Sequence, residues 1–321
     1  MAVESSTSSQ SSKSRCKLKV AVLAGGIGAE RQVSLQSGKC IRQALDEAGF
    51  DATIADISPD NLTVLDEEEI DIFFLALHGT FGEDGRLQEI LEQRNLAYTG
   101  SGPEASRLAF DKMASKKSFS AVGVLVPEAT AIYCKEDMEN FETRFNRSGD
   151  KYVVKPTRQG SSVGISIVSG MDETVTAAEK VLGEFGDCMI EQYIAGRDVT
   201  VSILFGEPLP IIEIRPREVF YSYHSKYVDE KTEYLFDTIT DASLEAKIQL
   251  SAVDCFNALG CRDFGRADFI LGSDGQPYVL EVNTIPGFTT HSLLPMAARK
   301  RGLSMSELCT KIIEAALTSE D

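Results

Sequence analysis

The 321-residue sequence has no apolar run approaching the roughly 18 residues that a membrane span requires. It has only three histidines, and its seven cysteines (Cys16, Cys40, Cys134, Cys188, Cys255, Cys261 and Cys309) are odd in number, dispersed and never spaced as CxxC. That usage argues against a zinc site and against a disulfide framework, and it suits a reducing, cytoplasmic compartment. Basic residues are in deficit: 32 Lys and Arg stand against 49 Asp and Glu, a net charge of −17. A nucleic-acid polyanion would be repelled overall, although a local basic pocket could still take a small anion. Both familiar nucleotide fingerprints are missing. The glycine loop after the first apolar run fails GxGxxG at Arg31, and Gly38-Lys39-Cys40 lacks the hydroxyl residue and glycine spacing of a Walker A loop. Residues 1–16 carry seven serines and no hydrophobic h-region, so they read as a disordered tail rather than a signal peptide.

Order is expected from Lys17. Leu18 to Ala24 is a buried-strand run closed by Gly25-Gly26, and a helix follows with Ile41, Ala44, Leu45 and Ala48 on one face and Gly49 as its stop. Further strands at 50–56 and 70–77 make this a parallel α/β layer, in which ligands gather beyond the carboxyl ends of the strands. Two loops fall there, residues 25–30 and 78–85. A glycine turn feeding a helix would explain the first, but leaves Glu30 at the helix head unaccounted for. A helix running through Asp111-Lys112, strands 152–155 and 165–168, helix 171–183 and strand 188–191 form a second unit. A third, strand-rich unit ends in two helices, the last opened by the capping box Ser304 to Glu307.

Two constellations carry chemistry. Residues 155–164 place Lys155 and Arg158 around glycines and serines, a phosphate-cradling composition. A plain surface hairpin is the competing reading, and it sits poorly with a lysine that ends an apolar strand. Residues 266–271 and 278–283 read as strands joined by the hairpin signal Asp274-Gly275. With those two residues at the tip, Asp268 faces Glu281 and Arg266 faces Asn283. All four share one face, and Ala267, Phe269, Leu280 and Val282 share the other. Two carboxylates and an amide oxygen suit Mg²⁺, and opposed carboxylates would repel without a cation between them. An exposed face with a cross-strand ion pair is the alternative. Ser292 is a candidate N-cap for a helix whose N-terminus could meet a carboxylate, and Gly287 would allow a close backbone approach to a ligand.

Taken together, GGIGAERQVS (25–34), LHGTFGEDG (77–85), YTGSG (98–102), DKMASK (111–116), VVKPTRQGSSVGIS (153–166), EQYIAGRDVTV (191–201), FYSYHSKY (220–227), GRADF (265–269) and LEVNTIPGFTTHSLLP (280–295) resemble the D-alanine–D-alanine ligases of the ATP-grasp superfamily over residues 17–317. The resemblance implies an α/β and α+β, three-domain ATP-grasp fold. Its parts are a Rossmann-like N-terminal domain (17–107), a central subdomain (108–194), and a C-terminal subdomain (195–317) bearing the metal site and a lid loop (215–236) with Tyr221, Tyr223 and Tyr227. It implies that Lys112, Lys155 and Lys226 meet ATP phosphates, with Ser161 and Ile194 also at the nucleotide. Glu191 would meet the adenine amino group, and Asp198, where the family usually has Glu, the ribose. Asp268, Glu281 and Asn283 would hold two Mg²⁺ or Mn²⁺. Glu30 would anchor the first substrate's ammonium, linked through Ser161 to Tyr227, with His78 near its carboxylate. Arg266 and the Gly287 N–H would stabilise an oxyanion, and Ser292 and Leu293 would bind the second substrate's carboxylate. Gly28, Glu89 and Phe288 depart from the usual Ser, Gly and Met, and Phe288 is expected to alter pocket shape.

The implied activity is ATP-dependent joining of two D-alanines for peptidoglycan synthesis by a cytoplasmic homodimer, with no nucleic-acid or membrane partner. A D-alanine–D-lactate or D-alanine–D-serine ligase is the rival. Lactate-type ligases carry His where this chain has Tyr227, which favours an amine nucleophile. A catalytically dead nucleotide-binding scaffold would have lost metal or phosphate residues, and an NAD-dependent dehydrogenase would need the absent fingerprint.

Overall fold

A computed structural model describes residues 18–28, 30–141, 151–160, 163–216 and 232–318. The serine-rich tail, Ser161, Lys226, Tyr227 and most of the expected lid therefore lie outside the described residues.

The first unit is a parallel three-stranded sheet. The apolar run becomes β1 (Lys19–Gly25), flanked by β2 (Asp51–Ile57) and β3 (Ile72–Leu75). Helix α1 (Arg31–Ala48) buries Val33, Ile41, Ala44 and Leu45 against it and stops at Gly49 in the left-handed region. Ala48, expected on that face, is exposed because the helix ends there. Helix α2 (Arg86–Gln93) buries Leu87 and Leu91.

Where one helix was expected through Asp111-Lys112 there are two, α3 (Pro103–Phe110) and α4 (Lys112–Ala121). Asp111 is extended between them and caps α4 by accepting from the Met113 and Ala114 N–H groups. The middle unit continues with β4 (Ala129–Ile132), α5 (Lys135–Glu139), β5 (Lys151–Lys155), β6 (Ser166–Ser169), α6 (Gly170–Phe185) and β7 (Cys188–Gln192). Its antiparallel sheet has the order β4-β7-β5-β6.

The third unit contains β8 (Gly196–Leu204), β9 (Glu207–Pro208), β10 (Ile212–Arg215), β11 (Glu233–Leu235), α7 (Ala242–Ala258), β12 (Phe264–Gly272) and β13 (Pro277–Asn283). These strands form an antiparallel sheet of order β11-β10-β8-β12-β13, with β9 paired to β8. Helices α8 (Leu293–Lys300) and α9 (Met305–Thr318) then return to the first unit. Leu294, Leu308, Ile312 and Ile313 share one apolar core with Val22, Ile41, Leu45 and Phe74.

Two contacts lock the first and third units together. Phe288 is fully buried and packs edge-on against Phe74 and Phe264, with ring centroids 5.5 Å away in each case. The expectation that Phe288 shapes the pocket is thereby corrected: its ring fills the core between units. The second contact is a polar strap. The Gly100 N–H donates to Asp263 Oδ2 at 2.7 Å, Arg262 Nε donates to the Gly100 carbonyl at 2.7 Å, and the Arg262 guanidinium lies over the Tyr98 ring. Asp263 holds this position at φ +59°, a conformation that Asn also tolerates. Asp263→Ala should cost about 1–3 kcal/mol in denaturant unfolding, because it orphans a buried N–H. Asp263→Asn, which keeps an acceptor, should cost clearly less, and equal losses would refute the strap.

Candidate active site

The site is built where the carboxyl ends of the parallel sheet meet the β12–β13 hairpin. Glu30 occupies the N-cap position of α1 but makes no side-chain cap. Its buried carboxylate instead lies against Gly79 and Gly160. Gly79 has φ +68°, and a Cβ there would collide with Glu30 Oε2, so the loop after β3 requires glycine at this place. The Gly79 N–H donates to Glu83 Oε2 at 2.6 Å, which brings a second buried carboxyl beside the first.

The hairpin keeps the expected pairing at the site end and departs from it at the turn. Arg266 faces Asn283 and Asp268 faces Glu281, but beyond them Phe269 faces Val279 and Ile270 faces Tyr278. The turn is longer than the two residues expected: the Gly272 N–H reaches the Gln276 carbonyl. A β-bulge absorbs the difference by leaving Leu280 extra. Val279 therefore joins Ala267, Phe269 and Val282 on the buried face, and Leu280, expected there, is only half-buried.

The opposed carboxylates each have a side-chain cation beside them. Asp268 accepts from Arg266 Nε at 2.8 Å and Nη2 at 2.7 Å, from Thr200 Oγ1 at 2.6 Å and from Asn283 Nδ2 at 3.0 Å. Glu281 Oε2 lies 3.2 Å from Lys112 Nζ. Among the described residues no three or more His, Cys, Asp or Glu side chains converge as a ready metal cluster.

A cavity of about 440 Å³ opens over this face, lined by Glu30, His78, Arg266, Glu281, Asn283, Gly287, Ser292 and Leu293 among others. Eight of the residues singled out from sequence thus share one space. Glu83 and Tyr234 also line it and were not anticipated; the acidic pair Glu83-Asp84 in a glycine-rich loop beyond β3 was the available signal for Glu83. Ser292 precedes α8 as expected, yet its hydroxyl accepts from the Thr289 N–H at 2.9 Å and makes no cap to its own helix. The helix N–H groups consequently have no side-chain cap. Gly287 is needed for a neighbour within the chain, since a Cβ there would lie 2.7 Å from Ser292 Oγ.

The remaining candidates gather alongside. Lys112 heads α4, where its Nζ donates to the Gln159 carbonyl at 2.6 Å. Lys155, at the end of β5, finds the partner that an apolar strand predicts: its Nζ is 2.7 Å from Glu191 Oε2 on β7. Ile194 follows β7, and Asp198 on β8 is paired with Ile270. Arg158 turns away from the glycine/serine loop to clamp Asp111 at 2.8 Å, so it braces the loop rather than flanking it with free charge. Lys116, also buried on α4, contacts Glu191 as well and was missed; its spacing of four from Lys112 was the signal.

Burial sets the charge states. Burial lowers the His78 imidazole to about 4, with the nearby Arg266 adding to the effect against a hydrogen bond with Ile285, so the ring is neutral. Burial, with the Glu30 and Glu281 charges, pushes Glu83 up to about 8 despite its Gly79 hydrogen bond and the pull of Arg266. The folded protein holds a proton that the unfolded chain releases from about pH 4.5 upward, so stability falls as pH rises from there to about 8. Glu83→Gln should flatten that slope in melting temperatures taken between pH 6 and pH 8, and an unchanged slope would count against a protonated Glu83.

Comparison with known proteins agrees with the geometry. The family described as D-ala D-ala ligase C-terminus matches residues 120–314, and the D-ala D-ala ligase N-terminus matches residues 61–101. The D-alanine–D-alanine ligase of Syntrophotalea carbinolica is 42% identical over 307 residues, spanning 93% of this chain and 96% of the relative. That of Saccharophagus degradans is 40% identical, spanning 92% and 93%. Among solved structures, the Bacillus anthracis D-alanine–D-alanine ligase complexed with ATP is 34% identical with a TM-score of 0.82, covering 94% of this chain and 98% of its own. The VanG D-Ala:D-Ser ligase from Enterococcus faecalis superposes with the same TM-score at 28% identity, covering 94% and 100%. An ordered set of motifs, a shared fold and full-length similarity lead to one assignment: the chain belongs to the D-alanine–D-alanine ligase family.

Proposed function

We propose that this chain joins two D-alanine molecules to D-alanyl-D-alanine, the dipeptide used in peptidoglycan synthesis, with conversion of ATP to ADP and phosphate. The observation that carries the reading is the pairing of opposite recognition groups in one cavity. The Glu30 carboxylate suits an ammonium at one end, and the uncapped α8 N-terminus at Ser292 and Leu293 suits a carboxylate at the other. Arg266 lines the same cavity, braced by the bonds from its Nε and Nη2 to Asp268.

In this reading a carboxylate oxygen of the first D-alanine attacks the γ-phosphorus, the bond to the β-phosphate bridge breaks, and ADP leaves. The amine of the second D-alanine, having lost a proton, attacks the acyl phosphate carbonyl. Arg266 and the Gly287 N–H stabilise the tetrahedral oxyanion, and phosphate departs as the amide forms. His78, neutral and 3.4 Å from Ser37 Oγ, lines the cavity without adding a second positive charge beside Arg266. Lys112, Lys155 and Lys226 of the closing loop meet phosphates, Glu191, Ile194 and Asp198 the nucleoside, and Ser161 links Glu30 to Tyr227. Asp268, Glu281 and Asn283 form an oxygen-only donor set that fits Mg²⁺ or Mn²⁺, which would supply positive charge at the phosphates in exchange for the Arg266 and Lys112 contacts.

The domain division at 17–107, 108–194 and 195–317 belongs to this reading, and so does a cytoplasmic homodimer. Six cysteines among the described residues are free, as a reducing compartment allows. No described helix is long and apolar enough to cross a membrane.

Phosphate release with ATP and Mg²⁺ should depend on D-alanine, with D-alanyl-D-alanine identified by mass in stoichiometric yield. L-alanine should be inert, and added D-lactate or D-serine should not displace the second D-alanine. A mixed product would overturn the second-substrate assignment, and no D-alanine-dependent release would overturn the function. Arg266→Ala should slow turnover by about 10²–10³, as loss of an oxyanion donor does, and near-normal turnover would refute that role.

A further inference from the structure

Glu191 is buried between two lysines on different elements. Lys155 Nζ on β5 lies 2.7 Å from Oε2, and Lys116 Nζ on α4 lies 2.5 Å from Oε1. The side chains are 6%, 5% and 2% exposed for Lys155, Lys116 and Glu191, so three formal charges sit out of water with one cation in excess. Burial draws Lys116 down from the ordinary lysine range while Glu191 pulls it up; Glu191 itself is held low because the two lysines outweigh its burial. Buried ion pairs of this kind are poor devices for stability alone, since desolvation consumes most of the Coulombic gain. Anchoring Lys155 would need only one carboxylate and one lysine.

The two cations differ in where they can go. Lys155 ends its strand beside the glycine/serine loop, whereas Lys116 is in the second turn of α4, where Glu191 is its ion-pair partner and, among the described residues, no acceptor is hydrogen-bonded to its Nζ. We propose that Lys116 is the resident counter-ion of Glu191 and Lys155 the exchangeable one: as nucleotide enters, Lys155 leaves Oε2 for the phosphates and the adenine amino group takes its place. The inference rests on the reading of Glu191 and Lys155 as nucleotide contacts. Lys116 is then a positioning residue. It keeps Glu191 ionised and stationary when Lys155 departs, and it couples base recognition to phosphate recognition through one carboxylate.

Without Lys116, Lys155 is the one lysine among the described residues still paired with this buried carboxylate, and it stays there. The test is equilibrium binding of ATP and ITP, whose hypoxanthine carries a carbonyl in place of the amino group, to the full chain. The parent enzyme should prefer ATP by about 10–100-fold, the range expected for a hydrogen bond to a charged group. Lys116→Met and Lys116→Gln should bind both nucleotides more weakly and lose most of that preference. Lys116→Arg, which keeps the cation, should restore it. A merely structural role would weaken ATP and ITP by the same factor, and that result would overturn the proposal. Glu191→Ala separates the two levels. If it keeps the preference for ATP, the adenine reading fails and takes the proposal with it; if it loses the preference while Lys116→Met keeps it, only the role of Lys116 fails. In the unmutated enzyme, ¹⁵N spectra of lysine side chains should show the Lys155 ammonium shifting on ATP addition and the Lys116 ammonium staying in place. A shift of Lys116 comparable to that of Lys155 would overturn the exchange even if the neutral variants do not fold.

Discussion

Cross-strand register between β12 and β13 decides whether this molecule has a site at all. Side chains alternate along a strand, so a slip of one residue would turn Glu281 and Asn283 into the apolar core and bring Leu280 and Val282 out over the cavity. The turn is too long for the register that the site requires, and the bulge that leaves Leu280 unpaired corrects the error just before Glu281. Everything attached to that face follows from the correction. Asp268 can gather Arg266, Asn283 and Thr200, and Glu281 can meet Lys112 from the middle unit.

The sequence made the site end of this hairpin legible and its turn end not. Arg266, Asp268, Glu281 and Asn283 lie on one face whether the turn holds two residues or three with a bulge, so their grouping survived an incorrect turn. Local alternation contains no information about a compensating bulge, and Leu280 was consequently assigned to the wrong face. The parallel sheet was readable for a similar reason: β1 and β3 are short, nearly continuous apolar runs bounded by turn residues. β4 escaped notice because Ala129 to Ile132 has neither alternation nor bulk, and it becomes a strand only by pairing with β7. The break at Asp111 was hidden because a capping aspartate and a helix-interior aspartate look alike without knowing that Arg158 pulls on it.

Charge was the least legible layer. The motifs put acidic and basic residues in the right neighbourhood, but their partners are set by long-range packing. Opposed carboxylates pointed to a cation between them, and alternation along the strands gave no sign that Arg266 and Lys112 also lie beside them. Phe288 looked like a change in a binding pocket from its position between Gly287 and Thr289, and its ring instead turns into the core against Phe74 and Phe264.

The strap between Gly100 and Asp263, with the apolar core that α8 and α9 share with α1, bears on how the enzyme can open. Among the described residues lining the cavity, Gly160 alone comes from the middle unit; the others belong to the first and third units, which the strap and core weld together. The described part of the chamber is therefore cast largely from two units that share one core, while the middle unit meets it at Gly160 and through Lys112 on Glu281. Motion of that unit can make room for a nucleotide without remoulding the chamber. Discrimination among amino acids is in consequence a matter of fixed shape and charge, and adaptability is left to the nucleotide side.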